Sequence, residues 1–190
     1  MPILGIIASQ ISGHLIPPAG PGSYESIATT TLGSAQSTIT FSSIPSTFKH
    51  LQVRVFGFGA NIGTIFMRVN SDTNTANYRS HFIVGNGASA IAGDLAGRAA
   101  YLTAGFTSQF IPTYPSVSIT DILDYSNTNK YKTARSLSGS DTNNTGTYNG
   151  DIALASGVWF NTTAINRLDL FLDGGDWGTY TSIALYGIKE

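Results

Sequence analysis

The chain has 190 residues, of which 42% are hydrophobic and only 11% are charged, and its formal net charge is −1. This length suits one domain with a core of its own, since such a chain buries about 70% of its surface on folding. Ordinary soluble domains are about 25% charged, so this surface is polar but nearly neutral and lacks the field that nucleic-acid binding requires. A chain without cysteine has no disulfides, thiolate metal sites or cysteine nucleophiles.

The first sixteen residues are apolar but fit neither a signal peptide nor a membrane span. No Lys or Arg precedes Lys49, and the run stops at Pro17 and Pro18, short of the roughly 20 residues that a span requires. We predict an arm and Pro/Gly linker over residues 1–23 and a domain over residues 24–190. The arm is predicted to contact another subunit through Ile3, Leu4, Ile6, Ile7 and Ile11. The alternative is a first strand tucked into the domain's own core.

From residue 24 onward the apolar residues alternate with a period of two, as in Leu51, Val53 and Val55. Successive side chains of a strand point to opposite faces, so this period predicts strands with one buried row each. The predicted strands are 24–31, 36–42, 50–58, 64–70, 78–84, 98–104, 116–125, 131–139, 151–160, 164–172 and 179–188. The Ala-rich segment 88–100 is assigned at most one short helical turn. Many short strands between turn residues predict an all-β fold, a jelly-roll-like antiparallel β-sandwich with an extended apolar N-terminal arm.

The candidate catalytic and metal-binding residues form no constellation with known chemistry. His14, His50 and His81 share no metal-ligand spacing, and no GxSxG turn positions a serine nucleophile. Asp121 and Asp124 are predicted to point to opposite faces of a strand, with one of them paired to Lys130, Lys132 or Arg135. Two segments, 72–74 and 173–176, have aspartates in a loop but lack the carboxylates of a calcium site. We therefore predict that the protein is not an enzyme and has no metal or other cofactor.

Several aromatic residues lie near predicted turns, and they leave two interpretations open. Aromatic rings beside Asn and Asp can stack on sugars, whereas the same residue types also anchor cores and subunit interfaces. The candidates for either role are Tyr114, Tyr148, Trp159, Trp177 and Tyr180. The core or interface interpretation is favoured.

Five segments in order resemble small virion proteins of tailed bacteriophages. They are MPILGIIASQISG at 1–13, YESIAT at 24–29, ITFSSIPSTFKHLQVR at 39–54, TDILDYSNTNKYKT at 120–133 and IALYGIK at 183–189. Members of this group resemble head decoration (cement) proteins in some phages and tail or receptor-binding proteins in others. The resemblance implies a jelly-roll-like domain that forms homotrimers on the virion, and it implies no catalytic residue.

The expected function is therefore a capsid decoration protein on the exterior of the head. Its partners would be two further copies of itself and the major capsid protein, without direct contact to nucleic acid or membrane. The alternative is a tail-associated receptor- or glycan-binding module, and only that alternative gives the protein a glycan partner.

Overall fold

A computed structural model describes residues 22–59, 63–94, 100–107, 114–140 and 150–189. Within these ranges the chain forms twelve strands and one 3-10 turn, Thr75–Asn77. The strands are β1 (Tyr24–Thr31), β2 (Thr38–Phe41), β3 (His50–Gly57), β4 (Gly63–Val69), β5 (Tyr78–Gly85), β6 (Ala90–Asp94), β7 (Leu102–Thr107), β8 (Ser116–Leu123), β9 (Lys132–Ser140), β10 (Asp151–Trp159), β11 (Leu168–Leu172) and β12 (Ser182–Ile188).

The strands form two antiparallel sheets, which confirms the predicted all-β sandwich. The larger sheet has eight strands in the order β1-β12-β3-β8-β9-β10-β5-β6, and the smaller has four in the order β2-β11-β4-β7. Many neighbours are distant in sequence: β12 lies between β1 and β3, and β11 lies between β2 and β4. Each of the last two strands therefore lies between two strands from the first part of the sequence.

The core lies between the sheets and follows the period-two pattern. Leu51, Val53 and Val55 of β3 are buried, as are the alternate residues Ile183 and Leu185 of β12. The two tryptophans are the largest fully buried side chains, and both indole N–H groups are hydrogen-bonded. Burial of such amphipathic rings requires a partner for the N–H group, which the fold supplies.

Strand β7 packs closely on the inner face of the larger sheet because the residues beneath it are small. A β-bulge in the pairing of β4 with β7 leaves the carbonyl of Ala104 outside the ladder. The Ser118 hydroxyl donates to that oxygen at 2.5 Å, and the Thr120 hydroxyl donates to it at 2.9 Å. Serine and threonine on β8 therefore satisfy a buried backbone group.

The segment with the short predicted helical turn contains a strand instead. β6, Ala90–Asp94, pairs with β5 along the edge of the larger sheet. Gly93 lies beneath the ring of Phe82, where an added Cβ would come within 2.6 Å of the ring. Alanine and glycine have little strand propensity of their own, so pairing with a formed neighbour overrides the local preference. The sixth predicted strand, 98–104, is displaced and corresponds to β7.

No helix among the described residues has the length and apolar character needed to cross a membrane. The predicted arm lies outside the described residues.

Candidate functional site

The two candidate acidic residues of β8 and the turn after it lie apart and serve separate ion pairs. Asp121 lies 3.7 Å from the Arg135 guanidinium, and Asp124 accepts a hydrogen bond from Lys130 at 3.2 Å. The predicted pairing with a nearby cation is confirmed, although Lys132 contacts backbone carbonyls instead. The hydrogen bond from Lys130 holds the pKa of Asp124 below its usual value.

Asp72, one of the weak calcium candidates, is a structural hydrogen-bond acceptor. Its carboxylate accepts from the side chain of Asn77 at 2.8 Å and from the Trp159 indole at 2.7 Å. Burial alone would raise the pKa of Asp72, but these bonds and one from the backbone of Asn74 outweigh it and lower the pKa. Among the residues that the structure describes, no three His, Asp or Glu side chains are grouped to hold a metal ion.

The histidines lie far from one another where they are described. Nδ1 of His50 accepts a hydrogen bond from the backbone N–H of Asp124 at 3.0 Å, which ties β3 to the turn after β8. His81 is exposed on β5, and His14 lies outside the described residues. Nδ1 of His50 also lies 4.0 Å from the Asp124 carboxylate, and three strands separate β3, which carries His50, from β5, which carries His81.

The candidate aromatic residues occupy different environments. Trp159 and Trp177 are core residues, and their rings are not available to a glycan. Tyr114 is partly buried, and Tyr148 lies outside the described residues. Tyr180 is exposed and has a left-handed backbone, with φ of +70°, beside a cleft of about 420 Å³. The five arm residues Ile3, Leu4, Ile6, Ile7 and Ile11 also lie outside the described residues.

The feature that dominates the described surface is an apolar area on the outer side of the larger sheet. In one row across the sheet, Ile119 of β8, Leu137 of β9, Leu154 of β10 and Ile83 of β5 are consecutive cross-strand partners. The next row places Val117 beside Phe56 and extends to Ile152. These side chains are 44–70% exposed, and we call them the apolar face: Phe56, Ile83, Val117, Ile119, Leu137, Ile152 and Leu154.

The apolar face inverts the usual pattern of a half-buried sheet. On β8 the core side carries Ser116, Ser118 and Thr120, whereas the solvent side carries Val117 and Ile119. Strand β9 repeats the inversion with buried serines and an exposed leucine. Antiparallel sheets with one solvated face ordinarily place apolar residues inside and polar residues outside. The core therefore does not require this aliphatic row, and exposed apolar rows of this kind are typical of interaction sites.

A polar row borders the apolar face along the same strands. Gln52 donates to Asp121 at 2.8 Å and accepts from Nε of Arg54 at 2.7 Å. The Arg54 guanidinium lies over the ring of Tyr186, with 4.7 Å between its central carbon and the ring centroid. The row thus carries both charge signs, and its side chains are already held in place by one another. It forms a polar margin of the kind that surrounds the apolar centre of protein interfaces.

Two grooves in the apolar face have room for side chains of a partner. Their volumes are about 300 Å³ and about 210 Å³, and both are lined by Ile83 and Leu154. Period-two analysis could not identify this face, because an exposed aliphatic row and a buried one look the same in sequence.

Comparison with known proteins adds no family to these observations. The chain matches no model of a known protein family and none of the curated proteins. The fold and the surface together define a β-sandwich protein with one apolar outer face.

Proposed function

We propose that this protein is a structural protein of a bacteriophage virion, a decoration (cement) protein that trimerises on the outside of the head shell and stabilises it. The observation that carries the proposal is the apolar face. Large contiguous apolar areas on a protein surface are typical of interaction sites, so seven exposed apolar side chains on neighbouring strands favour permanent contact with another subunit. The low charge and the resemblance to phage virion proteins support the same assignment.

A second copy of the chain is the occupant that best suits the apolar face. The polar row contains both charge signs, and the chain's net charge is −1. The charges of this protein therefore do not favour a strongly charged partner. An identical subunit supplies an equally apolar surface, and three such faces around a threefold axis would cover one another. Burying an Ile or Leu side chain contributes about 1.5–3 kcal/mol, so seven half-exposed side chains supply roughly 5–10 kcal/mol per copy before association costs.

Two isoleucines provide a matched test of trimerisation through this face. Ile83 and Ile91 are each 55% exposed on neighbouring strands, but Ile83 pairs with Ala92 and Ile91 with Val84, so their side chains lie on opposite faces. Light scattering should find the wild type and Ile91→Lys trimeric and Ile83→Lys monomeric, with unchanged circular dichroism. A monomeric wild type, or a trimeric Ile83→Lys, would contradict the proposal.

Attachment to the shell is assigned to the arm, through its aliphatic residues at positions 3, 4, 6, 7 and 11. Deletion of residues 1–20 should abolish binding to empty capsids and leave the trimer intact. Co-sedimentation with capsids measures the first effect, and light scattering measures the second. Full capsid binding by the truncated protein would refute the role of the arm without affecting the assignment of the trimer interface.

A further inference from the structure

The outer side of the smaller sheet, on the opposite surface of the sandwich from the apolar face, contains an open cleft of about 540 Å³. Cross-strand pairing places Asp169 of β11 between Thr40 of β2 and Arg68 of β4. The adjacent row places Phe171 between Thr38 and Phe66. Among the residues that line the cleft are Thr38, Arg68, Ser71, Arg167, Asp169 and Phe171. Its volume lies within the roughly 300–1,000 Å³ of small-ligand sites.

The acidic residue of the cleft is already neutralised by its neighbours. Nε and Nη2 of Arg167 donate to the two carboxylate oxygens of Asp169 at 3.0 and 2.8 Å, and the Thr40 hydroxyl donates at 2.6 Å. Burial would raise the pKa of Asp169, but these hydrogen bonds outweigh it and keep the pKa below its usual value. Asp169 is therefore an ionised, fully engaged carboxylate that repels a second anion less than an unpaired one would.

Arg68 supplies the positive charge of the cleft that Asp169 and Arg167 do not cancel between them. Its guanidinium lies over the ring of Phe171, 5.1 Å from the centroid, and its Nε donates to the carbonyl of Ala100 at 3.2 Å. Within the described part of the chain, no carboxylate lies within ion-pair distance of Arg68. Two guanidinium groups and one carboxylate give the lining a net charge of +1. One cation is thus held rigidly beside the cleft with its terminal N–H groups not engaged by an acid.

We propose that this cleft binds an acidic saccharide, a sugar that bears a carboxylate. A planar guanidinium matches a carboxylate with two parallel hydrogen bonds. Ser37, Thr38, Ser71 and Thr73 line the cleft with hydroxyl groups, which both donate to and accept from sugar hydroxyls. Phe171, which is partly exposed, provides an apolar wall for the C–H face of the ring. Charge, hydroxyl groups and an apolar wall together match that ligand class.

The proposal goes beyond the decoration function and does not depend on it. The two outer faces of a sandwich point in opposite directions, so the cleft stays open when the apolar face is covered by other subunits. A protein fixed by one face would then present the cleft to the surroundings of the particle.

Isothermal titration calorimetry of the 190-residue chain with two matched probes tests the proposal. The first is an oligosaccharide containing glucuronic acid, and the second is the same oligosaccharide with glucose in place of the acid. We expect the acidic probe to bind about 10- to 100-fold more tightly, as charge-assisted hydrogen bonds predict. Equal affinity for both probes, or no binding, would overturn the proposal. Acetate and phosphate that compete as well as the acidic sugar would overturn the saccharide assignment.

Two variants locate the binding site. Arg68→Gln should lose the preference for the acidic probe, whereas Arg135→Gln, on the opposite face, should keep it. Thr38 is exposed on the rim of the cleft, so Thr38→Glu adds a repelling charge without disturbing the core and should weaken binding of the acidic probe much more than binding of the neutral probe. Wild-type affinity in Thr38→Glu and Arg68→Gln would overturn the assignment of the site.

Discussion

Lys132 shows how a single charged side chain can hold two loops together inside this fold. The residue is fully buried, and its ammonium donates to the carbonyls of Lys130 and Thr162 at 2.7 and 3.0 Å and also to the carbonyl of Asn127. Burial lowers the pKa of Lys132 because desolvation disfavours the charged form. The three carbonyl partners recover part of that cost by linking the turn before β9 to the segment after β10.

Replacement of Lys132 by methionine should therefore destabilise the protein although it removes a buried charge. The carbonyls would lose their donor, and each buried polar group left unsatisfied costs about 1–3 kcal/mol. Urea unfolding measures the change. The control is Lys130→Met, whose exposed ion pair with Asp124 should contribute less than about 1 kcal/mol. Equal stability of the two variants would show that the carbonyl contacts of Lys132 are not stabilising.

The sequence alone did not distinguish Lys132 from its neighbours. Alternation along β9 indicates which residues share a face. Because lysine is rarely fully buried, that pattern gives no reason to expect Lys132 in the core. The carbonyls that hold Lys132 come from a turn and from a loop 30 residues away, and their convergence depends on the tertiary fold. By contrast, the ion pairs of Asp121 and Asp124 involve cations close along the hairpin, so sequence distance was enough to predict that one of these aspartates pairs with a nearby cation.

At the scale of elements, the packing of β7 against the larger sheet depends on a glycine in β10. An added Cβ at Gly157 would come within 2.7 Å of the carbonyl oxygen of Arg79 and within 3.0 Å of a methyl group of Leu102. The first neighbour is backbone of the paired strand β5, which cannot move without disrupting the ladder. Close packing against the backbone of β5 and against Leu102 of β7 therefore leaves room only for glycine at position 157.

Gly157→Ala should lower the free energy of unfolding by about 1–3 kcal/mol, the usual cost of overpacking. Gly139→Ala in the neighbouring strand β9 is the matched control, because its Cβ would make only an ordinary contact at 3.5 Å. That control should be neutral or slightly stabilising, since alanine restricts the unfolded chain. Thermal and urea unfolding of both variants give the comparison, and a neutral Gly157→Ala would contradict the packing argument.

The strand pattern was predictable wherever the inward row was aliphatic. Strand β3 was predicted because its aliphatic residues alternate with Gln52 and Arg54, as in Leu51, Val53 and Val55. Strand β6 was missed because Ala90–Asp94 carries only one large apolar residue, and its pairing with β5 supplies the order that its own composition lacks. Periodicity also could not predict the order of strands in the sheets, since β11 and β12 each lie between two strands that are distant in sequence.

For the molecule as a whole, the two outer faces differ in a way that the sequence pattern concealed. Strands β8 and β9 of the larger sheet present aliphatic side chains and place small hydroxyl residues inside, whereas the smaller sheet presents charged, aromatic and hydroxyl groups around a cleft. Reading every alternating aliphatic row as core would have buried Val117 and Ile119, both of which are exposed. The asymmetry separates a surface suited to subunit contact from one suited to a small polar ligand.

The proposed trimer should consequently respond to salt and temperature as an apolar assembly. Raising ionic strength from about 0.1 to 1 M shortens the Debye length from roughly 10 to 3 Å and weakens exposed ion pairs, but it does not screen apolar contact. We expect the dissociation constant, measured by analytical ultracentrifugation on serial dilution, not to rise across this range. Cooling from 25 to 5 °C should raise it, because hydrophobic stabilisation weakens at low temperature. A trimer that dissociates at high ionic strength and tightens on cooling would place the contact on the polar row and the Asp121–Arg135 ion pair instead of on the apolar face.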